Sequence, residues 1–438
     1  MQHVCDPFRS KHITILGLGL LGRGVGDAEF FAQCGAHVVV TDKKSETDLA
    51  ESVERLKKFT NIEFHLGGHR PEDFTNSDLV IKASGVPLTS PEIEIAKKNG
   101  VQVAMSTALF AKSATELGAE IVGVTGTRGK STTTQMIYAV LQASGRKVLL
   151  GGNVRGISTL ALLPEVTNDT ICVLELDSWQ LQGFGDLHIS PNVSVFTNLM
   201  PDHQNYYPSM EAYFLDKANI FRYQHEGDTL LIGASIREKV EASHPSIAPQ
   251  VPQPLPEDWQ LQIPGEHNRM NASFAVAALR ALGIADDEIK KGLESFEGVE
   301  GRLQFVRELD GVKIYNDNNA TTPEATIAAL KALSHEREKK IILIMGGSDK
   351  QLAMNELLYE IAKTCKRVIL LAGTGTDRIA PLIADYSIFD DLSAAVREAL
   401  KSSHAGDVIL FSPAFASFGM FKNEYERNDE FLKIVRSL

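Results

Sequence analysis

The chain has 438 residues, enough for about three domains of ordinary size. Its 43% hydrophobic and 23% charged residues match globular chains and exclude wholesale disorder. With 44 Lys and Arg against 56 Asp and Glu, the net charge of −12 excludes a general polyanion binder, so no nucleic-acid partner is expected, although a local basic pocket for one small phosphorylated ligand remains open.

No apolar run approaches the roughly 18 residues that cross a bilayer, so no membrane insertion is expected. The opening Met1–Pro7 has no apolar core of a secretory signal, and a cytoplasmic location follows as an expectation. Cys5, Cys34, Cys172 and Cys365 are scattered without a C-x-x-C pair, which predicts neither a disulfide framework nor a zinc site.

In chain order, Ile13–Gly17 reads as a strand, followed by a glycine-rich turn, a helical stretch and a second strand, His37–Asp42. Apolar continuity in both strands marks a βαβ unit in a parallel sheet covered on both faces. Leu79–Ala83 and Val101–Ala104 extend the pattern through a first domain, residues 1–106. A helix near Ala108–Leu117 leads to the strand Glu120–Thr125, a second glycine-rich turn and a helix over 130–144. Strands recur over 147–151, 171–176 and 193–197. The stretch 245–256 carries five prolines and reads as an exposed connection, before a helix over 268–282 closes a central domain, 107–298. Two glycines and two acids in Glu297–Gly301 mark the next boundary. Beyond it come strands over 312–316, 340–345, 367–372 and 407–411, with helices over 323–333 and 353–364. These make a third α/β domain, 299–438.

Gly123-Val-Thr-Gly-Thr-Arg-Gly-Lys-Ser131 lies between a buried strand and a helix start, where unpaired N–H groups and the helix dipole favour phosphate. Its spacing departs from the strict P-loop, because Val124 stands at the first glycine's place. Gly126, Thr127, Arg128, Gly129, Lys130, Ser131 and Thr132 are the expected ATP cradle, with Lys130 reaching the β and γ phosphates and Ser131 facing Mg²⁺. A second cradle, Gly17-Leu-Gly19-Leu-Leu-Gly22, is followed twenty residues after its last glycine by Asp42. Alone it fits an NAD(P)-dependent oxidoreductase, another nucleotide diphosphate, or a structural turn. Two cradles in one chain point to two phosphorylated ligands, and a dehydrogenase needs one.

Thr125–Thr132, Leu174-Glu-Leu-Asp-Ser-Trp-Gln-Leu181, Thr197-Asn-Leu-Met-Pro-Asp-His203, Gly265-Glu-His-Asn268 with Asn271, and Tyr315–Thr321 together resemble the Mur ligases of peptidoglycan synthesis, over nearly the whole chain. Within that family the chain looks most like the branch that adds D-glutamate to UDP-N-acetylmuramoyl-L-alanine. The resemblance implies an N-terminal Rossmann-like UDP-binding domain, a central P-loop ATPase-like parallel-sheet domain and a C-terminal Rossmann-like domain. It also implies a monomeric ligase of small molecules, UDP-N-acetylmuramoyl-L-alanine and glutamate, acting in cell-wall synthesis. ATP would convert the acid to an acyl phosphate, which the amine then captures.

By the same resemblance Lys130, Glu175, His203 and Lys217 are catalytic. Ser131, Glu175, His203 and a carbamylated Lys217 would hold two Mg²⁺ ions. Asn268 and Asn271 would meet adenine, Asp317 the ribose and Arg302 the phosphates. Leu20, Leu21, Asp42, Lys43 and Gly85 look like the uridine pocket, and Asn153 like the muramoyl contact. Thr321, Lys350, Ser417 and Phe418 match the amino-acid pocket.

The chain departs from the family's usual pattern at Asn319 (Lys), Asp177 (Ser), Arg128 (Asn) and Gly301 (His), and at Phe418 and Glu424 in the C-terminal pocket. Losing a cation at 319 and gaining an acid at 424 leaves ATP-driven ligation in place. It opens the alternatives of a different amino acid, of L-glutamate, and of a degenerate nucleotide-binding protein without activity. A closing motion about 297–301 is expected, to keep water from the acyl phosphate.

Overall fold

The computed structural model describes residues 2–18, 22–202, 206–244, 248–334 and 338–438. Leu20, Leu21 and His203 therefore lie outside the described residues. The architecture is α/β and contains three sheets.

The first sheet holds β1 (His12–Leu16), β2 (His37–Asp42), β3 (Ile62–Leu66), β4 (Leu79–Lys82) and β5 (Gln102–Ala104), in the order β3-β2-β1-β4-β5. All four pairings are parallel. Ile13, Ile15, Val38 and Val40 are buried, as β-branched residues in a sheet covered on both faces should be. The order reverses between β1 and β4, and a doubly wound sheet binds ligands outside the strand ends at such a point.

The second sheet holds β6 (Glu120–Thr125), β7 (Val148–Gly152), β8 (Ile171–Glu175), β9 (Val193–Phe196) and β10 (Thr229–Ile232), ordered β10-β9-β6-β8-β7 and parallel throughout. The third holds β11 (Gln304–Leu309), β12 (Val312–Asn316), β13 (Ile341–Gly346), β14 (Cys365–Leu371), β15 (Tyr386–Phe389) and β16 (Val408–Phe411), ordered β11-β12-β16-β13-β14-β15. Its one antiparallel pair is the β11–β12 hairpin.

The chain gathers into two compact units: Met1–Gln253 with Ser273–Ile289, and Pro254–Ala272 with Lys290–Leu438. In the first, one apolar cluster runs from Ile13, Val25 and Phe31 through Phe110 and Leu160 to Leu174 and Phe184, so the first two sheets share a core. In the second, separate clusters lie on the two faces of the third sheet, around Leu330 and Leu343 and around Phe411 and Phe431. In the proline-rich stretch, Gln250 pairs with β10 through bonds to Leu230 and Ile232 of 2.9 Å each, so that part adds to a sheet edge; residues 245–247 are outside the description.

The cysteine expectation is corrected. Cys5 and Cys34, 29 positions apart, form a disulfide that ties the N-terminal helix to the end of the helix Arg23–Gln33. Packing of Phe8 against Phe30 and Phe31 brings the two thiols together, a proximity that sequence spacing does not reveal. Cys172 and Cys365 are free and buried. Urea-denatured, non-reduced protein is therefore expected to titrate two thiols; four would remove the bridge.

Candidate active site

The site in the first unit is built at the carboxyl ends of adjacent strands. β6 ends at Thr125, β8 at Glu175 and β9 at Phe196, and register pairs Val124 with Glu175 and Glu175 with Gly152. After β6 the chain turns through Gly126 to Gly129, whose φ of +83° caps the helix Lys130–Ala143 in a conformation that suits glycine.

Segment 197–200, which follows β9, holds the loop from behind. Thr127 N donates to Asn198 O at 3.0 Å, Arg128 N to Asn198 Oδ1 at 2.9 Å, and Thr197 Oγ1 to Arg128 O at 2.6 Å. Thr127 Oγ1 accepts from Met200 N at 2.9 Å. The loop is thus fixed by groups other than its ligand, as a preorganised anion cradle requires. Lys130 Nζ donates to Gly126 O at 3.0 Å and to Thr127 O at 3.3 Å, which holds the ammonium at the loop. Ser131 and Thr132 are buried in the first helical turn.

Lys217 is the most informative residue. It is 1% exposed in the last turn of the helix Met210–Ala218, and its Nζ donates to Thr125 Oγ1 at 3.2 Å and Gly126 O at 3.0 Å. Its amine lies 4.9 Å from the Tyr213 ring centre. Burial first, and the neighbouring Lys130 charge second, hold its pKa well below the ordinary lysine value, against the opposite pull of Asp177, Asp202 and Glu175. A buried amine that sheds its proton readily can react with CO₂.

Glu175 is buried and accepts from Asn153 Nδ2 at 3.3 Å, while its carbonyl takes Asn153 N at 2.7 Å. Lys130, Lys217, Glu175 and Asn153 thus gather around one loop. The Arg128 guanidinium pairs with Asp202 at 3.1 Å. Asp177 serves as helix cap: it accepts from Gln180 N at 2.7 Å, and Gln180 Oε1 accepts from Asp177 N at 3.2 Å, a reciprocal capping box.

In the first sheet, both carboxylate oxygens of Asp42 accept from backbone: Leu18 N at 2.9 Å and Lys44 N at 2.9 Å. Asp42 therefore braces the glycine loop. Lys43 pairs at 3.7 Å with Glu92, and Gly85 is exposed beyond the end of β4.

In the second unit, Asn268 and Asn271 are both buried on one helix face, and Asn271 Nδ2 donates to Asn268 Oδ1 at 3.3 Å. Asp317 is buried at the end of β12, its oxygens accepting from Leu303 N at 2.9 Å and Ser412 Oγ at 2.8 Å. Burial raises its pKa to about 7 against those bonds and the nearby Arg302 charge. Arg302 itself is exposed. Lys350 Nζ donates to Thr321 Oγ1 at 2.9 Å, which joins two of the expected amino-acid contacts. Ser417 is buried, while Phe418 is 62% exposed.

The departures have local structural partners. A side chain at Gly301 would begin 3.0 Å from Asn319 Nδ2, so these two substituted positions touch. Glu424 opens the helix Glu424–Ser437 behind its cap Asn423, where an acid suits the helix dipole.

The sequence reading missed Arg23, Asp27, Ser158 and Lys82. Lys82 is buried at the end of β4, and its Nζ donates to Val86 O at 3.0 Å; burial lowers its pKa to about 8 against the charges of Asp177, Asp186 and Asp216. For Arg23 a signal existed: a cation at the first position of a helix opposes the dipole and needs a reason.

Three family models match: the Mur ligase MurD-like N-terminal domain over residues 11–105, the Mur ligase middle domain over 124–250 and the Mur ligase glutamate ligase domain over 301–415. The chain is 37% identical to the UDP-N-acetylmuramoylalanine–D-glutamate ligase of Roseiflexus sp. (strain RS-1), covering 98% of both chains. It is 34% identical to the ligase of the same name from Geobacillus kaustophilus (strain HTA426), again covering 98% of each. Among solved structures, the UDP-N-acetylmuramate-alanine ligase of Thermotoga maritima superposes with a TM-score of 0.63 at 18% identity, over 98% of this chain and 99% of that one. The MurF ligase of Thermotoga maritima in complex with ADP gives 0.60 at 18% identity, over 91% and 94%. With relatives this similar along their whole length, the chain belongs to the Mur ligase family.

Proposed function

We propose that this protein joins D-glutamate to UDP-N-acetylmuramoyl-L-alanine at the expense of ATP, in the cytoplasm, as a step of peptidoglycan precursor synthesis. The observation that carries the reading is the convergence of Lys130, Glu175 and Lys217 on one preorganised phosphate loop, in a chain that matches named D-glutamate ligases from end to end.

Joining a carboxylate to an amine needs a better leaving group than hydroxide. The carboxylate attacks the γ-phosphorus of ATP, releasing ADP and leaving an acyl phosphate. The glutamate amine then adds to the acyl carbon, and phosphate departs from the tetrahedral intermediate. Two anions meet in the first step, so cationic and N–H groups must be in place beforehand. Lys130 and the amides of Gly126 and of 129–131 would supply them to the nucleotide, those of Thr127 and Arg128 being bonded to Asn198. In this reading Asn153 orients the acid, and Lys350 with Thr321 takes a glutamate carboxylate. The Rossmann-like first domain would hold the uridine diphosphate on the loop that Asp42 braces. Domains over 1–106, 107–298 and 299–438 remain our assignment of these roles.

The oxygen donors beside the loop fit Mg²⁺: the Ser131 hydroxyl and the buried Glu175 carboxylate are of the type this ion selects. Lys217 would add an oxygen anion once carbamylated, and His203 is a further candidate. Bound there, the ion would neutralise phosphate charge.

Phosphate release measured with UDP-N-acetylmuramoyl-L-alanine, ATP and Mg²⁺ against a panel of D- and L-amino acids tests the proposal. Release is expected with D-glutamate above all others. Preference for another amino acid would move the protein within its family, and release with none would end the assignment.

A further inference from the structure

The helix Arg23–Gln33 begins directly after the glycine loop of the first sheet, yet its first two turns are bonded to the turn after β7. Arg23 Nη2 donates to Asn153 Oδ1 at 3.0 Å, and Arg23 Nε to Val154 O at 3.2 Å. One turn later, Asp27 Oδ1 accepts from Ser158 Oγ at 2.6 Å, and that same Ser158 oxygen takes Ala161 N at 3.2 Å. Gly26 lies so close that a methyl group there would reach within 2.5 Å of Ser158 Cβ. Helix and turn are therefore held in fixed register by a guanidinium fork, a buried carboxylate and a close backbone approach.

The fork decides how the Asn153 amide is turned. Its oxygen faces Arg23, so its NH₂ is presented to Glu175 Oε1, 3.3 Å away. An amide turned the other way would set its oxygen against a carboxylate oxygen, and Glu175 would lose that donor. We propose that Arg23 is a positioning residue. By occupying the Asn153 oxygen, it keeps the amide N–H on Glu175 and holds that carboxylate in the orientation that receives the metal-bound nucleotide. The inference rests on the proposed role of Glu175. It adds that the helix of the sugar-nucleotide cradle orders the ATP site through two side chains, Arg23 and Asn153.

The test is Mn²⁺ binding in the presence of ADP, followed by electron paramagnetic resonance on the full-length protein without the other substrates. Arg23→Met is expected to weaken Mn²⁺ binding about tenfold, and Asn153→Ala to weaken it similarly. Their double variant should lose no more than Asn153→Ala alone, because the two residues act in series. Ser158→Ala removes a bond from the same helix–turn contact without touching Asn153. It should lower thermal stability and leave Mn²⁺ affinity unchanged, which separates positioning from general packing. Normal affinity in a folded Arg23→Met variant, full additivity in the double variant, or equal loss in Ser158→Ala would each overturn the inference. Wild-type protein that binds no Mn²⁺ with ADP would instead overturn the proposed site itself.

Discussion

Lys130→Ala is expected to lower turnover at least a hundredfold, equivalent to about 2.7 kcal/mol or more of lost transition-state stabilisation. The lysine's amine sits at the loop carbonyls of Gly126 and Thr127, where, in the proposed reaction, it would meet charge that accumulates as the phosphoryl group moves. Because the loop is also held by Thr197, Asn198 and Met200, removing the side chain should leave the cradle folded. The loss should therefore fall on turnover, with only a modest change in melting temperature. Near-normal phosphate release by a folded Lys130→Ala protein would detach the chemistry from this loop.

The second large effect concerns Lys217. Burial first, and the adjacent Lys130 second, disfavour its ammonium form, which favours the neutral amine that CO₂ needs. Addition of CO₂ to the neutral amine forms an N–C bond, releases a proton and leaves an oxygen anion in place of the amine. That anion would attract the Lys130 ammonium and add an oxygen ligand to the site. After CO₂ depletion, activity should rise with added bicarbonate, and Lys217→Met should lose at least a hundredfold and show no such response, a loss of about 2.7 kcal/mol or more. Indifference of the wild-type enzyme to bicarbonate would leave the lysine as a buried amine bonded to Thr125 and Gly126.

Much of this was legible in the chain itself. Runs such as Val38-Val-Val and Ile341-Ile-Leu-Ile mark central strands, because a strand covered on both faces has no polar alternation to confuse it. The helix Pro323–Leu333 shows its proline start and apolar period. Missed strands had one trait in common: β3, β10, β11 and β15 all lie at sheet edges. Ile62-Glu-Phe-His-Leu and Tyr386-Ser-Ile-Phe are short, partly exposed and mixed in polarity, so their pattern is close to that of a loop. The short helix Asp286–Glu294 was also missed.

At the site, residue types that chemistry demands were visible, and those that act by tertiary contact were not. Lys130 announces itself through its loop. Asp177 was noted only as a departure, and its role as a helix cap required seeing Gln180 turn back upon it. Asp317 stood out as an acid in a motif, yet both its oxygens are engaged by Leu303 and Ser412, the latter 95 positions away. The Cys5–Cys34 bridge and the Arg23–Asn153 contact likewise join distant positions, and no spacing rule reaches across 130 residues.

The apolar cluster common to the first two sheets has an evolutionary corollary. Val25, Ala28 and Phe31 on one side and Leu160, Leu163 and Phe184 on the other belong to a single interior. Recombination that grafted a foreign first sheet and its helices onto this second sheet would inherit a mismatched seam, with bulk at position 26 striking Ser158.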